Sequence, residues 1–298
     1  MKPKLIVILG PTGCGKTALA LQLAQEFGGE IINADSRAIY RGFDIGTAKS
    51  THEEQAKVPH HLLDICDGDQ NFSVGEFKKR ADVVIVDINR HGCVPFLVGG
   101  TMQYISAVVD NWNIPAVSSG SALRAELEKL TKKELQQELR RLDPESYKVI
   151  DTENPRRLVR ALEVYKTTGQ SFVAQRTKSE RQYEMLMLGI ERPRKELYER
   201  IDKRVDQMVE DGLVKEVEQL SKQYGWDAPG MSGIGYREFK NYFEEGAALE
   251  EVVQQIKYNN HQYVRKQEAW FKKIDGVMWM RDISHASDYV RAFLSPSA

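Results

Sequence analysis

Residues 10–17 read Gly10-Pro11-Thr12-Gly13-Cys14-Gly15-Lys16-Thr17, a complete G-x-x-x-x-G-K-[ST] pattern. Its chemistry is anion capture. The glycines let backbone N–H groups turn inward on phosphate oxygens, and the helix that follows adds partial positive charge at its N-terminus. Lys16 supplies a full charge, and the Thr17 hydroxyl suits Mg²⁺. Two further segments end in groups of a useful kind. Asp35-Ser36-Arg37 follows one apolar run and offers a carboxylate, and Gly99-Gly100-Thr101 follows another and makes a second phosphate-sized turn. Reactive groups in open α/β sheets collect at such strand ends.

The flanking pattern supplies the elements that position these groups. Leu5-Ile6-Val7-Ile8-Leu9 reads as a buried strand into the phosphate loop, and the helix-period segment 18–24 leaves it and stops at Gly28-Gly29. Glu30–Ala34 and Val94–Val98 read as further strands. Ser73-Val74-Gly75-Glu76 is a capping box opening a helix whose buried face holds Phe77, Ala81, Val84, Ile85 and Ile88. The segment Val83-Val84-Ile85-Val86-Asp87 admits two readings. Its β-branched residues suit a strand carrying a Walker B carboxylate, whereas the capping box and helical period favour a helix with Asp87 in solvent. A strand there would also precede the next one with no crossover between.

From about residue 113 the character changes. Ser121–Arg141 is a charged amphipathic helix, and Asn154-Pro155-Arg156-Arg157 opens another, with Pro155 in its first turn. Between Ser121 and Lys195 there are 17 Lys or Arg against 12 Asp or Glu, a net of +5. That surplus suits an RNA backbone, although charge alone favours a solvated helical face. Met185–Ile190 reads as a strand returning to the sheet. Helices follow over 194–209 and 213–224, then a Gly- and Pro-rich loop over 226–235 and two more helices, with Trp270 and Phe271 as core. The expectation is an α/β fold: a P-loop NTPase-like parallel sheet flanked by helices, from 1–112 and 186–298, with an all-helical insert over 113–185.

Composition narrows the function classes. The chain has 298 residues, a net charge of −1, 41% hydrophobic and 29% charged residues. Such a balance excludes a globally basic nucleic-acid binder and describes an ordinary globular protein, so nucleic-acid contact requires a local patch. No apolar stretch reaches the roughly 20 residues that span a bilayer. Met1-Lys2-Pro3-Lys4 leaves no room for a signal peptide, and Cys14, Cys66 and Cys93 have no disulfide or zinc spacing. A cytoplasmic protein, monomeric and without membrane contact, is expected.

One long block is far more specific than the phosphate loop. Residues 35–49, from Asp35-Ser36-Arg37-Ala38 to Gly46-Thr47-Ala48-Lys49, strongly resemble the second conserved block of the bacterial-type tRNA dimethylallyltransferases, also called isopentenyltransferases. Further blocks match in order: Val98–Thr101, Asn154–Glu163, Arg200–Val205, Gly212–Val217, Gly233–Glu238, and Arg265-Lys266-Gln267 with Trp270-Phe271. Ala38 stands where the family usually carries Gln, Met102-Gln103 where it has Gly-Leu, and His261 where a basic residue is commoner.

The resemblance implies transfer of a dimethylallyl group from dimethylallyl diphosphate to N6 of the adenosine 3′ of the anticodon (position 37). The phosphate loop would then hold a diphosphate leaving group. Lys16, Arg204 and Mg²⁺ near Thr17 would stabilise the departing charge, and Thr101 would bond the diphosphate or bridge it to the base. Asp35 would accept the proton that N6 sheds, with an Mg²⁺ ligand or a turn cap as its alternative role. Contacts to the anticodon stem-loop are implied for Asp35, Ser36, Arg37, Ala38, Thr101, Arg156, Arg157, Arg160, Gly233, Gly235, Tyr236 and Arg237. Tyr236 could equally be a core aromatic. Rival readings are an ATP-dependent small-molecule or nucleoside kinase, an RNA-binding NTP switch, and an adenylate isopentenyltransferase. The first would want a Walker B strand, and the last has no use for a basic insert.

Overall fold

The computed structural model describes residues 2–115, 122–175 and 177–295. They divide into two compact units, one of residues 2–70, 79–106 and 182–295, the other of residues 71–78 with the described part of 107–181.

The first unit is built on six parallel strands, β1 (Lys4–Leu9), β2 (Gly29–Asn33), β3 (His60–His61), β4 (Val94–Gly99), β5 (Glu184–Ile190) and β6 (Val277–Met280), in the order β3-β2-β4-β1-β5-β6. All pairings are parallel, so this is a P-loop-like α/β sheet covered by helices. Leu5 through Leu9 are fully buried, as a central strand with both faces covered requires. The crossover helices are α1 (Lys16–Glu26), α2 (His52–Lys57), α3 (Val74–Arg90) and α4 (Met102–Val109). Expected strands at 5–9, 30–34, 94–98 and 185–190 are present, each within a residue or so of those bounds. The segment 83–87 lies inside α3, with Val83 65% exposed and the Asp87 side chain in solvent, so no Walker B strand forms there. The Ser73 capping box is made: Ser73 Oγ accepts from the Glu76 N–H at 3.2 Å, and Glu76 accepts from the Ser73 N–H at 2.8 Å.

In the second unit, the expected single helix over 121–141 is two, α5 (Ala122–Leu127) and α6 (Lys132–Leu142); Ser121 lies outside the described residues. The break has a local cause. Thr131 and Glu134 form their own capping box, which starts a new helix at Lys132. Next come α7 (Pro144–Val149), α8 (Pro155–Thr168) and α9 (Phe172–Gln175). Leu127, Leu135, Leu139, Leu158 and Leu162 close its core. Its chain boundaries differ from 113–185. Asn113 N–H donates to Thr177 O and Ser179 N–H to Asn111 O, an antiparallel stem that draws Asn111 and Trp112 into the unit. Gln182 and Tyr183 belong to the first unit, where the Tyr183 hydroxyl donates to Asp82 at 2.7 Å.

After β5 the first unit continues through α10 (Arg194–Glu210), α11 (Leu213–Tyr224), α12 (Phe239–Glu245), the long α13 (Leu249–Phe271) and α14 (Ala286–Leu294). The helices over 194–210 and 213–224 match expectation. Unforeseen were the short helices α2, α4, α7 and α9, the terminal α14, and the strands β3 and β6. Two polar histidines and a four-residue Met/Trp run have no periodicity, and only pairing with β2 and β5 makes them strands.

Asp143 shows what holds the second unit together. Nearly fully buried, it caps α7 by accepting from the Ser146 N–H at 3.1 Å and from the Ser146 hydroxyl, and it accepts from the Phe172 N–H at 2.9 Å. Burial opposes its charge, but the Ser146 hydroxyl and the Phe172 and Ser146 N–H groups outweigh that and lower its pKa. Asp143→Ala leaves those donors unpaired and is expected to cost about 2–4 kcal/mol in denaturant unfolding. Because the folded pKa is depressed, the wild-type advantage is present above pH 3.8, the unfolded value, and shrinks as pH falls through the lower folded one.

Candidate active site

Register places the reactive segments in one row. Asn33 pairs with Val98, and Leu9 pairs with both Gly99 and Gly189, so β2, β4, β1 and β5 end at one level. Their exits, in that order across the sheet, carry Asp35, Thr101, the phosphate loop and Arg192. This carboxyl edge is where a parallel sheet binds ligands.

The phosphate loop takes a shape that side chains would resist. Gly13 (φ 83°) and Gly15 (φ 100°) are left-handed, and Gly15 caps α1, so several N–H groups converge above the helix N-terminus. Outer carbonyls are tied down by arginines: Arg192 Nε donates to Cys14 O at 2.7 Å and Arg200 Nε to Gly13 O at 2.8 Å. Lys16 Nζ reaches only the Pro11 carbonyl, at 3.4 Å, and pairs with no carboxylate among the described residues. Arg204 lies one turn beyond Arg200 on α10 and also has no acidic partner there. Loss of water and the neighbouring Arg200 lower its pKa, and Asp35 acts in the opposite sense. The residue is nonetheless exposed to solvent. Unpaired cations around a nest of N–H groups call for a multivalent anion. Thr17 is exposed in the first turn of α1.

Asp35 is half-buried beside this anion cradle. Its Oδ1 accepts from the Arg37 N–H at 2.8 Å, so it does cap a turn, and among the described residues Oδ2 has no hydrogen-bond partner. Thr101 Oγ1 accepts from the Ser36 N–H at 2.9 Å and donates to Ser36 Oγ at 3.2 Å, joining the ends of β2 and β4. Tyr263 of α13 faces the same space: burial first, and then the Asp35 carboxylate, push its pKa up to about 12. Arg37 is engaged elsewhere, its guanidinium donating to Pro229 O at 3.0 Å and Ser232 Oγ at 3.1 Å.

The residues expected to meet tRNA fall into three groups. In the first unit, Asp35, Ser36 and Thr101 stand at the sheet edge, and Gly233, Gly235 and Arg237 lie on the loop that Arg37 reaches. Gly235 N–H and Arg237 Nε both donate to Glu238, each at 2.9 Å. In the second unit, Arg156 sits in the first turn of α8, Arg157 is exposed 3.6 Å from Asp151, and Arg160 donates to the fully buried Glu163 at 2.8 Å. Two residues are corrected. Tyr236 is 1% exposed: its hydroxyl donates to Glu216 at 2.6 Å and its ring packs against Phe43, centroids 5.0 Å apart, so it is core. Glu216 in turn accepts from the N–H groups of Asp44, Ile45 and Gly46, which fixes the block after Asp35. The Ala38 methyl is buried as well and presents nothing to a ligand.

Sequence reading missed Arg192, Arg200, Tyr263 and Gln267 as site residues. Arg192 falls in the stretch read as a basic insert, although it follows the end of β5; residues 71–78 and 107–181 together hold 15 basic against 12 acidic residues, a net of +3. The strand-end rule that found Asp35 would have found Arg192. Arg200 and Gln267 lay in blocks that resemble the family, but nothing local gave them a place at the site, and Tyr263 left no local signal.

The chain is similar to known proteins over most of its length. The IPP transferase family model matches residues 38–274. The tRNA dimethylallyltransferase of Herpetosiphon aurantiacus is 45% identical over 278 residues, covering 92% of this chain and 88% of its own. The structure of the tRNA isopentenylpyrophosphate transferase from Bacillus halodurans superposes with a TM-score of 0.74 at 37% identity, over 98% of this chain and 97% of its own. A eukaryotic dimethylallyltransferase captured acting on tRNA gives a TM-score of 0.82 at 27% identity, over 97% and 77%.

The two loop-binding arginines carry a direct expectation. Arg192→Ala and Arg200→Ala each remove a charged hydrogen bond to the loop backbone and should weaken binding of inorganic diphosphate about tenfold or more, read by calorimetry. Unchanged affinity in both would mean the loop holds its form unaided.

Proposed function

The chain belongs to the IPP transferase family, and on that footing we propose that its phosphate loop holds the diphosphate of dimethylallyl diphosphate while Asp35 takes a proton from the attacking adenosine of a tRNA. The observation that carries this reading is the row of strand ends: an anion cradle with unpaired cations on one side, a carboxylate with a free oxygen on the other, and Thr101 between them.

The reaction follows from charge. The C–O bond between the allylic carbon and diphosphate breaks, the diphosphate leaves with the electron pair, and positive charge spreads over the allyl unit. The loop N–H groups, Lys16 and Arg204 meet the departing charge where it develops. N6 of the adenosine 3′ of the anticodon forms the new C–N bond and loses one proton, which Asp35 Oδ2 accepts. Thr101, anchored to Ser36, orients the base or the diphosphate between these groups. The target base must leave its stack to reach the row of strand ends.

Mg²⁺ fits this donor set in one way. No group of three His, Cys, Asp or Glu among the described residues would cage a cation, and Asp87 is out in solvent. The Thr17 hydroxyl beside phosphate oxygens suits an ion that arrives with the diphosphate and keeps most of its water. When bound, it would neutralise leaving-group charge.

For RNA, Arg156 and Arg157 are the exposed cations of the α8 first turn, while Arg160 is paired with the buried Glu163. Among the described residues no helix is long and apolar enough to cross a membrane.

The defining experiment is incubation with labelled dimethylallyl diphosphate and unmodified tRNA, followed by nucleoside analysis; label in N6-isopentenyladenosine is expected, and its absence overturns the reading. Asp35→Asn should keep both ligands bound while the rate falls roughly 10²–10⁴-fold. Near-normal turnover would leave Asp35 as a turn cap. Arg157→Glu should weaken tRNA binding and flatten its salt dependence at constant diphosphate affinity. An unchanged salt slope would move the RNA surface off α8.

A further inference from the structure

One fully buried polar side chain in the first unit has no part in the chemistry above. Gln267 of α13 is 0% exposed, and both ends of its amide are used on backbone. Its Oε1 accepts from the Thr12 N–H at 2.9 Å, and its Nε2 donates to Gly100 O at 2.7 Å. A residue needed only for packing would be apolar, since burying an amide is costly unless both ends are paired. Here one planar group, with donor and acceptor at fixed separation, joins the two glycine-rich turns that leave β1 and β4.

We propose that Gln267 is a positioning residue for the transfer: its amide clasps the phosphate loop to the Gly100-Thr101 turn and so sets where Thr101 and Asp35 stand relative to the bound diphosphate. The proposal rests on the functional reading above. Several observations support the clasp. A Cβ on Gly100 would lie 2.6 Å from Gln267 Nε2, so the turn approaches the amide as closely as it does only by being glycine. The same Cβ would lie 3.5 Å from Lys16 Nζ, which places the cation alongside the clasp. Tyr263 directs its hydroxyl to the same Gly100 carbonyl at 3.4 Å. On the far side, the turn continues into Thr101, which is bonded to Ser36 next to Asp35. The phosphate loop has other supports in Arg192, Arg200 and its own Cys14 N–H to Pro11 O bond, 3.3 Å long. The second turn is held at Gly100 O by this amide and by Tyr263, and the Thr101 N–H donates to Ala34 O at 3.1 Å, so Thr101 moves with the end of β2 and Asp35. Loss of the clasp therefore leaves the anion grip and displaces the groups that act on the acceptor, and misplacement of that order slows reaction more than binding.

The test compares wild type, Gln267→Leu and Gln267→Glu. The leucine removes both bonds at similar volume, and the glutamate keeps the acceptor but cannot donate to Gly100 O when ionised. In both, kcat should fall about 10–100-fold while the Kd of inorganic diphosphate stays within about threefold. Hydrogen exchange should accelerate in Gln267→Leu in peptides covering 10–17 and 99–104 together. Gly100→Ala should slow wild type, and slow it less in a Gln267→Ala background where the added methyl finds room. A kcat within twofold of wild type, exchange that leaves either peptide unchanged, or parallel loss of kcat and diphosphate affinity would overturn the clasp. If Gln267→Leu does not fold, Gln267→Glu and the Gly100→Ala pair decide. Absence of transfer by wild type would instead sink the functional reading, and the exchange pattern would still judge the clasp.

Discussion

Because β1 is hydrogen-bonded to β4 on one side and β5 on the other, with β2 beyond β4, four chain exits are forced to one edge within the lateral spacing of neighbouring strands. Strands lie about 4.8 Å apart, so groups on adjacent exits can touch one ligand together. The groups that leave the strands inherit this constraint. The anion cradle, the bridging threonine and the carboxylate are neighbours since their strands are, although residues 10, 35, 101 and 192 are far apart along the chain.

Electrostatics then gives the edge a direction. On the β1 and β5 side, backbone N–H groups and the unpaired charges of Lys16 and Arg204 create a site that is unfavourable when empty. The loop carbonyls, which would repel an anion, are turned outward onto Arg192 and Arg200. On the β2 side, the cap made by Asp35 Oδ1 holds the carboxylate rigid while leaving Oδ2 open. An allylic diphosphate placed along the edge would have its leaving group stabilised at one end and its acceptor deprotonated at the other. The long block after Asp35 is held by its own hydrogen bonds: Lys49 donates to Tyr40 O, Asp44 and Asp64, and Glu216 collects three N–H groups. That explains why so many of its residues are specific without touching a ligand.

Legibility in the sequence followed the range of the physics involved. Elements defined by local rules were readable: the buried β1 run, the glycine loop, the Ser73 capping box, the helix start at Pro155, and the α3 face that settles Val83–Asp87 as helix. The single helix over 121–141 failed for the same kind of reason in reverse, since the Thr131 box is a local stop that the amphipathic period overrode in reading. Elements that owe their form to a neighbour were invisible. His60–His61 is a strand only against β2, and Val277–Met280 only against β5.

The site divides along the same line. By itself, the sequence pointed to a phosphate-binding loop at residues 10–17, to a carboxylate and a threonine at the ends of two strands, and to the family's signature blocks along the chain, because each of these is written in contiguous residues. Only the tertiary structure decided that Tyr236 belongs to the core, that Arg160 spends its charge on a buried glutamate, and that Arg192, Arg200, Tyr263 and Gln267 join the cradle. Those assignments depend on which side chains meet across the fold, and a local pattern holds no record of a partner dozens to hundreds of residues away.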